Sequence, residues 1–336
     1  MYNTTKNYTD IKKHGAQLRV FYKPDFNTQY TSIELPFGGL SKYLIEENST
    51  QIIKPGTAHL LEHIVLNDHR YDFFVKFMKL GARCNGFTHM SSTVFSLEMI
   101  DLNLKTLDTY MKHILSPFVE NSVFERQKKI VISEISSRSS FSPLLKKGLL
   151  KILGQDFNHF SVIGEQLDIE RIQIKELEKI KKYIYNPREL ELITFGPKDP
   201  KEIAAWFEEF MDSSIDYNFK LKRTLEEKNT KGGIIVSNHV NQVVILLREE
   251  IINTQEMVKK YLMMNFFAEL IKEQLPNSEC SIRTHIDYFN GLGITVIIIN
   301  SNKEFLLKIS KAFIGQKNTI KKLNWSNLKI IKQKIL

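Results

Sequence analysis

The chain has 336 residues, 42% of them hydrophobic and 25% charged, with a formal net charge of +9. That length allows two domains of ordinary size, and that balance excludes a disordered or fibrous polymer. The positive excess is dispersed in short pairs and triplets, such as KK at 12–13 and KLKR at 220–223, instead of gathering on one stripe, so no nucleic-acid partner is expected.

Residues 16–40 contain two β-rich runs separated by Lys-Pro-Asp and Asn-Thr turn chemistry, which predicts two adjacent strands, with Gly38-Gly39 ending the second. Pro55-Gly56-Thr57 then opens a helix with Thr57 as its N-cap. A second helix is expected at about 70–80, where Phe73, Phe74, Phe77 and Met78 share a helical face. The chain turns at Gly81 and returns as paired strands over 83–99. Helices follow near 103–117, at 122–138 and at 174–184, with a further helical stretch before the break at Gly164. ELELITFG, ending at Gly196, alternates as a strand does.

Residues 213–232 are polar and patternless, the best linker candidate. Beyond them a strand (GGIIVSNHVNQVVILLRE), a long helix and a strand pair repeat the order of 16–99. The expected fold is α+β: two related domains, each a mixed, mainly antiparallel sheet packed against helices. The expected boundaries are 1–212, a linker at 213–232, and a shortened second domain at 233–336 without histidines on its helix.

No apolar run approaches the length of a membrane span, and the first fifteen residues lack the basic-then-apolar pattern of a secretory signal. Cys84 and Cys280 form no C-x-x-C pair, so the sequence reads as a cytoplasmic protein with no membrane insertion.

The first helix carries His59, Glu62 and His63. In a helix, positions four apart share a face, so the two imidazoles can hold Zn²⁺ between them, with the Glu62 carboxylate beside the water it activates. H-x-x-E-H arises by chance in roughly one or two of every hundred such chains, so a third ligand and a matching context are required. Glu134, mid-helix among apolar residues, is the candidate, because an unpaired carboxylate there is costly to bury. Glu120 and Glu125 are rivals, placed near a helix start where acidic residues are ordinary dipole partners.

The order H-x-x-E-H is the inverzincin signature, and residues 16–200 resemble the catalytic half of the insulinase/pitrilysin family, bacterial processing-protease-like members in particular. Four segments carry the resemblance: Pro55–His63, Gly81–Thr88 followed by Thr93 and Phe95, Ile132-Ser133-Glu134-Ile135, and Tyr185-Asn186-Pro187 ahead of Gly196. It implies one zinc per chain, bound by His59, His63 and Glu134, with Glu62 as general base. It also implies that the Arg83–Phe95 region is an edge strand receiving the peptide, with Asn85, Gly86 and Phe87 along it.

Three departures from the family pattern stand out. No Arg–Tyr pair seven residues apart occurs in 268–283, where the nearest equivalents are Lys272 with Glu279, or Ile271 with Ser278. Gln127 stands where a second glutamate, supporting the site, is frequent, and the second domain is short. These predict a zinc-bearing subunit whose homologous partner supplies the clamp on a peptide or precursor substrate. The alternatives are an impaired zinc-binding remnant and a non-enzymatic protein that holds peptides on its edge strand.

The remaining histidines receive bland readings. His89 is a half-exposed strand residue within reach of substrate, His69 is solvated, and His14, His113, His159, His239 and His285 have no role. Cys84 should face away from Asn85 as a buried thiol, and Met263-Met264 with Phe266-Phe267 should pack in a core.

Overall fold

The computed structural model describes residues 8–45, 49–67, 73–137, 162–212, 220–223, 234–239, 242–250, 254–272, 281–289, 292–301, 304, 306–308 and 311. They form two compact units, one drawn from residues 1–138 and 158–224, the other from residue 225 onward. His69, His159, Ser278, Glu279, Cys280 and the helical stretch expected before Gly164 lie outside the described residues.

The first unit contains β1 (Thr9–Lys13), β2 (Ala16–Tyr22), β3 (Gln29–Leu35), β4 (Ser41–Ile45), β5 (Thr50–Ile52), α1 (Thr57–Val65), α2 (Phe73–Lys79), β6 (Ala82–Thr88) and β7 (Thr93–Met99). It continues with α3 (Leu104–Leu115), α4 (Asn121–Ser137), α5 (Gln166–Arg171), α6 (Ile174–Ile184), β8 (Glu191–Gly196), α7 (Pro200–Asp212) and β9 (Lys220–Arg223). Its main sheet runs β1-β2-β8-β3-β7-β6 and is antiparallel except for the β2–β8 pair.

Alternation sets the buried face of this sheet. Ala16, Leu18 and Val20 of β2, Ile33 and Leu35 of β3, and Leu192 of β8 all point into the core. The buried amide of Gln29 is satisfied at both ends, donating to Thr194 Oγ1 at 2.6 Å and accepting from Lys198 N at 2.9 Å.

The structure corrects several expectations. β2 and β3 are not neighbours, because β8 lies between them. Residues 23–28 are enough to step over one intervening strand, since strands sit about 4.8 Å apart. Of the segment 83–95, only β6 is at the sheet edge; β7 lies between β3 and β6 and is buried at six of its seven positions. Part of the stretch expected as a linker is β9, which pairs antiparallel with β4 in a three-stranded sheet ordered β5-β4-β9.

α1 is buried almost all round, with only His63 partly open. Its N-cap is Gly56, not Thr57. The Thr57 hydroxyl donates backwards to Lys54 O at 2.6 Å instead of capping the helix. Gly56 has φ 82 and Gly164 has φ 77, and their backbones meet. A Cβ on Gly56 would lie 2.4 Å from Ile163 O, and one on Gly164 would lie 2.6 Å from Pro55 O. The two left-handed glycines therefore let the start of α1 rest against the 163–164 turn.

The second unit contains β10 (Ile234–His239), β11 (Gln242–Glu250), α8 (Thr254–Lys272), β12 (Ser281–Phe289) and β13 (Leu292–Asn300). The single strand expected over 232–249 is a hairpin, and this sheet, ordered β10-β11-β13-β12, is antiparallel throughout its described strands. α8 packs on β12, burying Met263, Met264 and Ala268. Phe266 departs from the expected core group: it is 53% exposed.

Candidate metal centre

His59 and His63, one turn apart on α1, lie side by side with ring centroids 4.6 Å apart and ring planes tilted by 59°. α4 packs against α1 and brings Glu134 to both rings. Glu134 Oε2 lies 3.9 Å from His59 Nε2 and 3.5 Å from His63 Nε2. Four ligands held tetrahedrally at about 2.0–2.1 Å from Zn²⁺ stand about 3.4 Å from one another, so this donor set fits a zinc ion with little adjustment. Among the described residues these three form one group of metal-capable side chains, with ligand atoms all within 4.8 Å of one another.

Glu134 is not the deeply buried mid-helix residue of the sequence reading. It sits in the last turn of α4 with its side chain 25% exposed. Its rivals lie elsewhere: Glu120 precedes α4 and accepts from Ser122 Oγ at 2.5 Å, and Glu125 is exposed in the first turns.

Gln127 lies two helical turns before Glu134 on the same face of α4 and is buried. Its Oε1 is 3.4 Å from His63 Nδ1. A proton on Nδ1 donated to this amide leaves the Nε2 lone pair facing Glu134, which sets the tautomer that a metal needs.

Glu62 is 7% exposed. Its Oε2 accepts from Thr88 Oγ1 at 2.7 Å. The phenol of the fully buried Tyr185 is pushed well up, first by burial and then by the charge of Glu62. The carboxylate beside the imidazole pair is thus enclosed by protein while the ligand face stays partly open.

The three residues expected along the peptide strand divide between two faces of β6. Gly86 faces α1, where a Cβ would lie 2.7 Å from Leu66 Cδ1 and 3.4 Å from Glu62 Cγ. Asn85 and Phe87 alternate to the opposite face and are exposed. Phe87 meets His89 edge-on at 4.7 Å. Cys84 is buried as expected, and burial pushes its thiol up to about 12, which keeps it protonated and unreactive.

Two contributors escape the sequence reading. Thr88 belongs to a recognised segment, but nothing in its spacing announces that it bonds Glu62. His113 is given no role from sequence, yet its Nε2 lies 2.8 Å from Val65 O, in the last turn of α1, with Phe73 stacked on the ring at 4.6 Å. The contact joins two helices across 48 residues of sequence, so no local pattern announces it. No described helix is long and apolar enough to cross a membrane.

A sequence profile of the family described as Insulinase (Peptidase family M16) matches residues 48–157, the stretch that holds α1, β6, β7 and α4. The uncharacterized zinc protease YmfH of Bacillus subtilis (strain 168) is 23% identical over 202 residues, covering 59% of this chain and 47% of that protein. The chain spans about half the length of the curated relatives it matches. Among solved structures, a putative M16-like peptidase from Alicyclobacillus acidocaldarius superposes with a TM-score of 0.77 at 15% identity, covering 99% of this chain and 83% of that one. A peptidase M16 inactive domain from Pseudomonas fluorescens superposes with a TM-score of 0.70 at 13% identity, covering 98% of this chain and 86% of that one.

Proposed function

We propose that the chain, whose residues 48–157 match the profile of the insulinase family, peptidase family M16, is a member of that family and the zinc-bearing subunit of a metalloendopeptidase that cleaves peptides or processes precursors. The observation that carries this reading is the convergence of His59, His63 and Glu134 with Glu62 retained beside them. His59, His63 and Glu134 would hold one zinc ion, whose Lewis acidity makes water nucleophilic near neutral pH and polarises a peptide carbonyl.

The chain's own residues do the rest. Glu62 is the general base: its carboxylate takes the proton of the attacking water and returns it to the leaving amine. A carboxylate is needed for that task and is superfluous in a protein that merely binds peptides. β6 is the edge strand of its sheet among the described residues, and its outer backbone groups are where an extended peptide would add as a further strand. Asn85 and Phe87, exposed on that strand, contact the added peptide.

A homologous partner subunit is part of the proposal. The Arg–Tyr pair is missing from 268–283, and a partner supplies the substrate clamp instead. Two cysteines with no pairing pattern suit a reducing compartment, and the cytoplasm is the compartment proposed.

The test is hydrolysis of a quenched fluorescent peptide by the zinc-loaded chain, with and without a co-expressed homologous subunit. The expected result is slow turnover alone, stimulation by the partner, and a loss of about a hundredfold or more in Glu62→Gln with zinc retained. Zinc binding without turnover in any combination would favour the impaired remnant.

A further inference from the structure

Glu62 does not stand on α1 unsupported. Its Oε2 accepts from Thr88 Oγ1 at 2.7 Å, and Thr88 is the last residue of β6. Thr88 is opposite Thr93 across the β6–β7 ladder, and the turn beyond it is closed by His89 N donating to Ser92 O at 2.7 Å. The donor therefore comes from a backbone held on both sides. A threonine side chain, branched at Cβ, has few rotamers from which to choose.

Gly86, two residues earlier on the same face of β6, completes the seat. Any Cβ there would stand 2.7 Å from Leu66 Cδ1, 3.2 Å from Phe95 Cδ1 and 3.4 Å from Glu62 Cγ. The strand thus makes room for the stem of Glu62 at one position and offers its carboxylate a hydrogen at the next.

We propose that Thr88 is a positioning residue for the general base: its hydroxyl fixes the rotation of the Glu62 carboxylate and ties the base to the strand that receives the peptide. This rests on the reading of Glu62 given above. It adds that β6 does two jobs with alternate atoms. Its outer backbone edge aligns the peptide, and its inward side chain at Thr88 aligns the base to the same strand. A hydroxyl at this position is then required for turnover and not for metal binding or peptide binding. Small displacements of a catalytic group cost up to about a hundredfold in rate.

The test compares Thr88→Val, which keeps the shape and removes the hydroxyl, with Thr88→Ser, which keeps the hydroxyl. Peptide hydrolysis, zinc stoichiometry, thermal midpoint and crystal structures are measured on the zinc-loaded chain, with the partner subunit where one is needed for turnover. Thr88→Val is expected to lose about ten- to a hundredfold in kcat, with KM within about twofold and zinc unchanged. Thr88→Ser is expected to stay within about threefold of wild type in kcat. Equal losses in both variants, or an unchanged kcat in Thr88→Val, would overturn the proposal.

If the wild-type protein hydrolyses no peptide, the peptidase reading fails, and the crystal structures still decide the positioning. The Glu62 carboxylate should leave its wild-type orientation in Thr88→Val and keep it in Thr88→Ser. An unmoved carboxylate in Thr88→Val would refute the role assigned to the hydroxyl.

Discussion

His63 Nδ1 and Gln127 Oε1 stand 3.4 Å apart, which joins the α1 histidine to the helix that carries Glu134. In the proposed site the same helix would supply one ligand directly and orient a second through its tautomer. Groups in this outer position change metal affinity by about ten- to a hundredfold when removed. Gln127→Leu should weaken zinc binding by about tenfold in a chelator competition, while Gln127→Glu, which still accepts from Nδ1, should bind at least as tightly as wild type. Equal affinity in Gln127→Leu and wild type would remove Gln127 from the site.

The clasp between Gly56 and Gly164 makes the placement of α1, and with it the proposed metal site, depend on backbone conformation at a distance. Gly56→Ala places a Cβ on a residue with φ 82 and 2.4 Å from Ile163 O. Strain of this kind costs on the order of 1–3 kcal/mol before any displacement of the turn is counted. Gly56→Ala and Gly164→Ala should each lower the thermal midpoint and reduce zinc occupancy together. A variant with full stability and full occupancy would show that the turn is dispensable.

Lys181 of α6 is buried, with its Nζ donating to Phe118 O at 3.1 Å, and burial lowers its ammonium to about 7. The unfolded chain holds that proton up to about pH 10.4, so between about pH 7 and pH 10.4 the unfolded state binds more protons than the folded one. Stability from this group should accordingly rise with pH across that window. Lys181→Met should unfold at a higher temperature than wild type at pH 7, and the difference should shrink towards pH 9.5. A gap that stays constant with pH would mean that Lys181 is charged or neutral alike in both states.

What the sequence reveals is local. His59, Glu62 and His63 are legible because helical period alone puts them together, and β6 and β7 because alternation and a turn do. Glu134 is legible only as one acidic residue among three, since its meeting with α1 depends on how two helices pack. β8 inserting between β2 and β3 is a non-local choice made by burial, and chain order misleads there. β1, β4, β5 and β9 are three to five residues long, too short for a periodic signal. α7 is different, for its start is written in the sequence. Asp199 caps it through Lys201 N at 2.8 Å and Pro200 opens it, a pairing that a reading ending at the β8 turn passes over. Thr88 and Gln127 lie at the far limit, because each acts on a side chain from another element.

The central claim is that three side chains from two helices hold zinc, and elemental analysis of the purified chain tests it most directly. Wild type should carry about one zinc per chain after metal loading, and Glu134→Ala, which removes the ligand contributed by α4, should lose most of it. Less than about a tenth of a zinc per chain in the loaded wild type would contradict the account, whatever the fold of the protein.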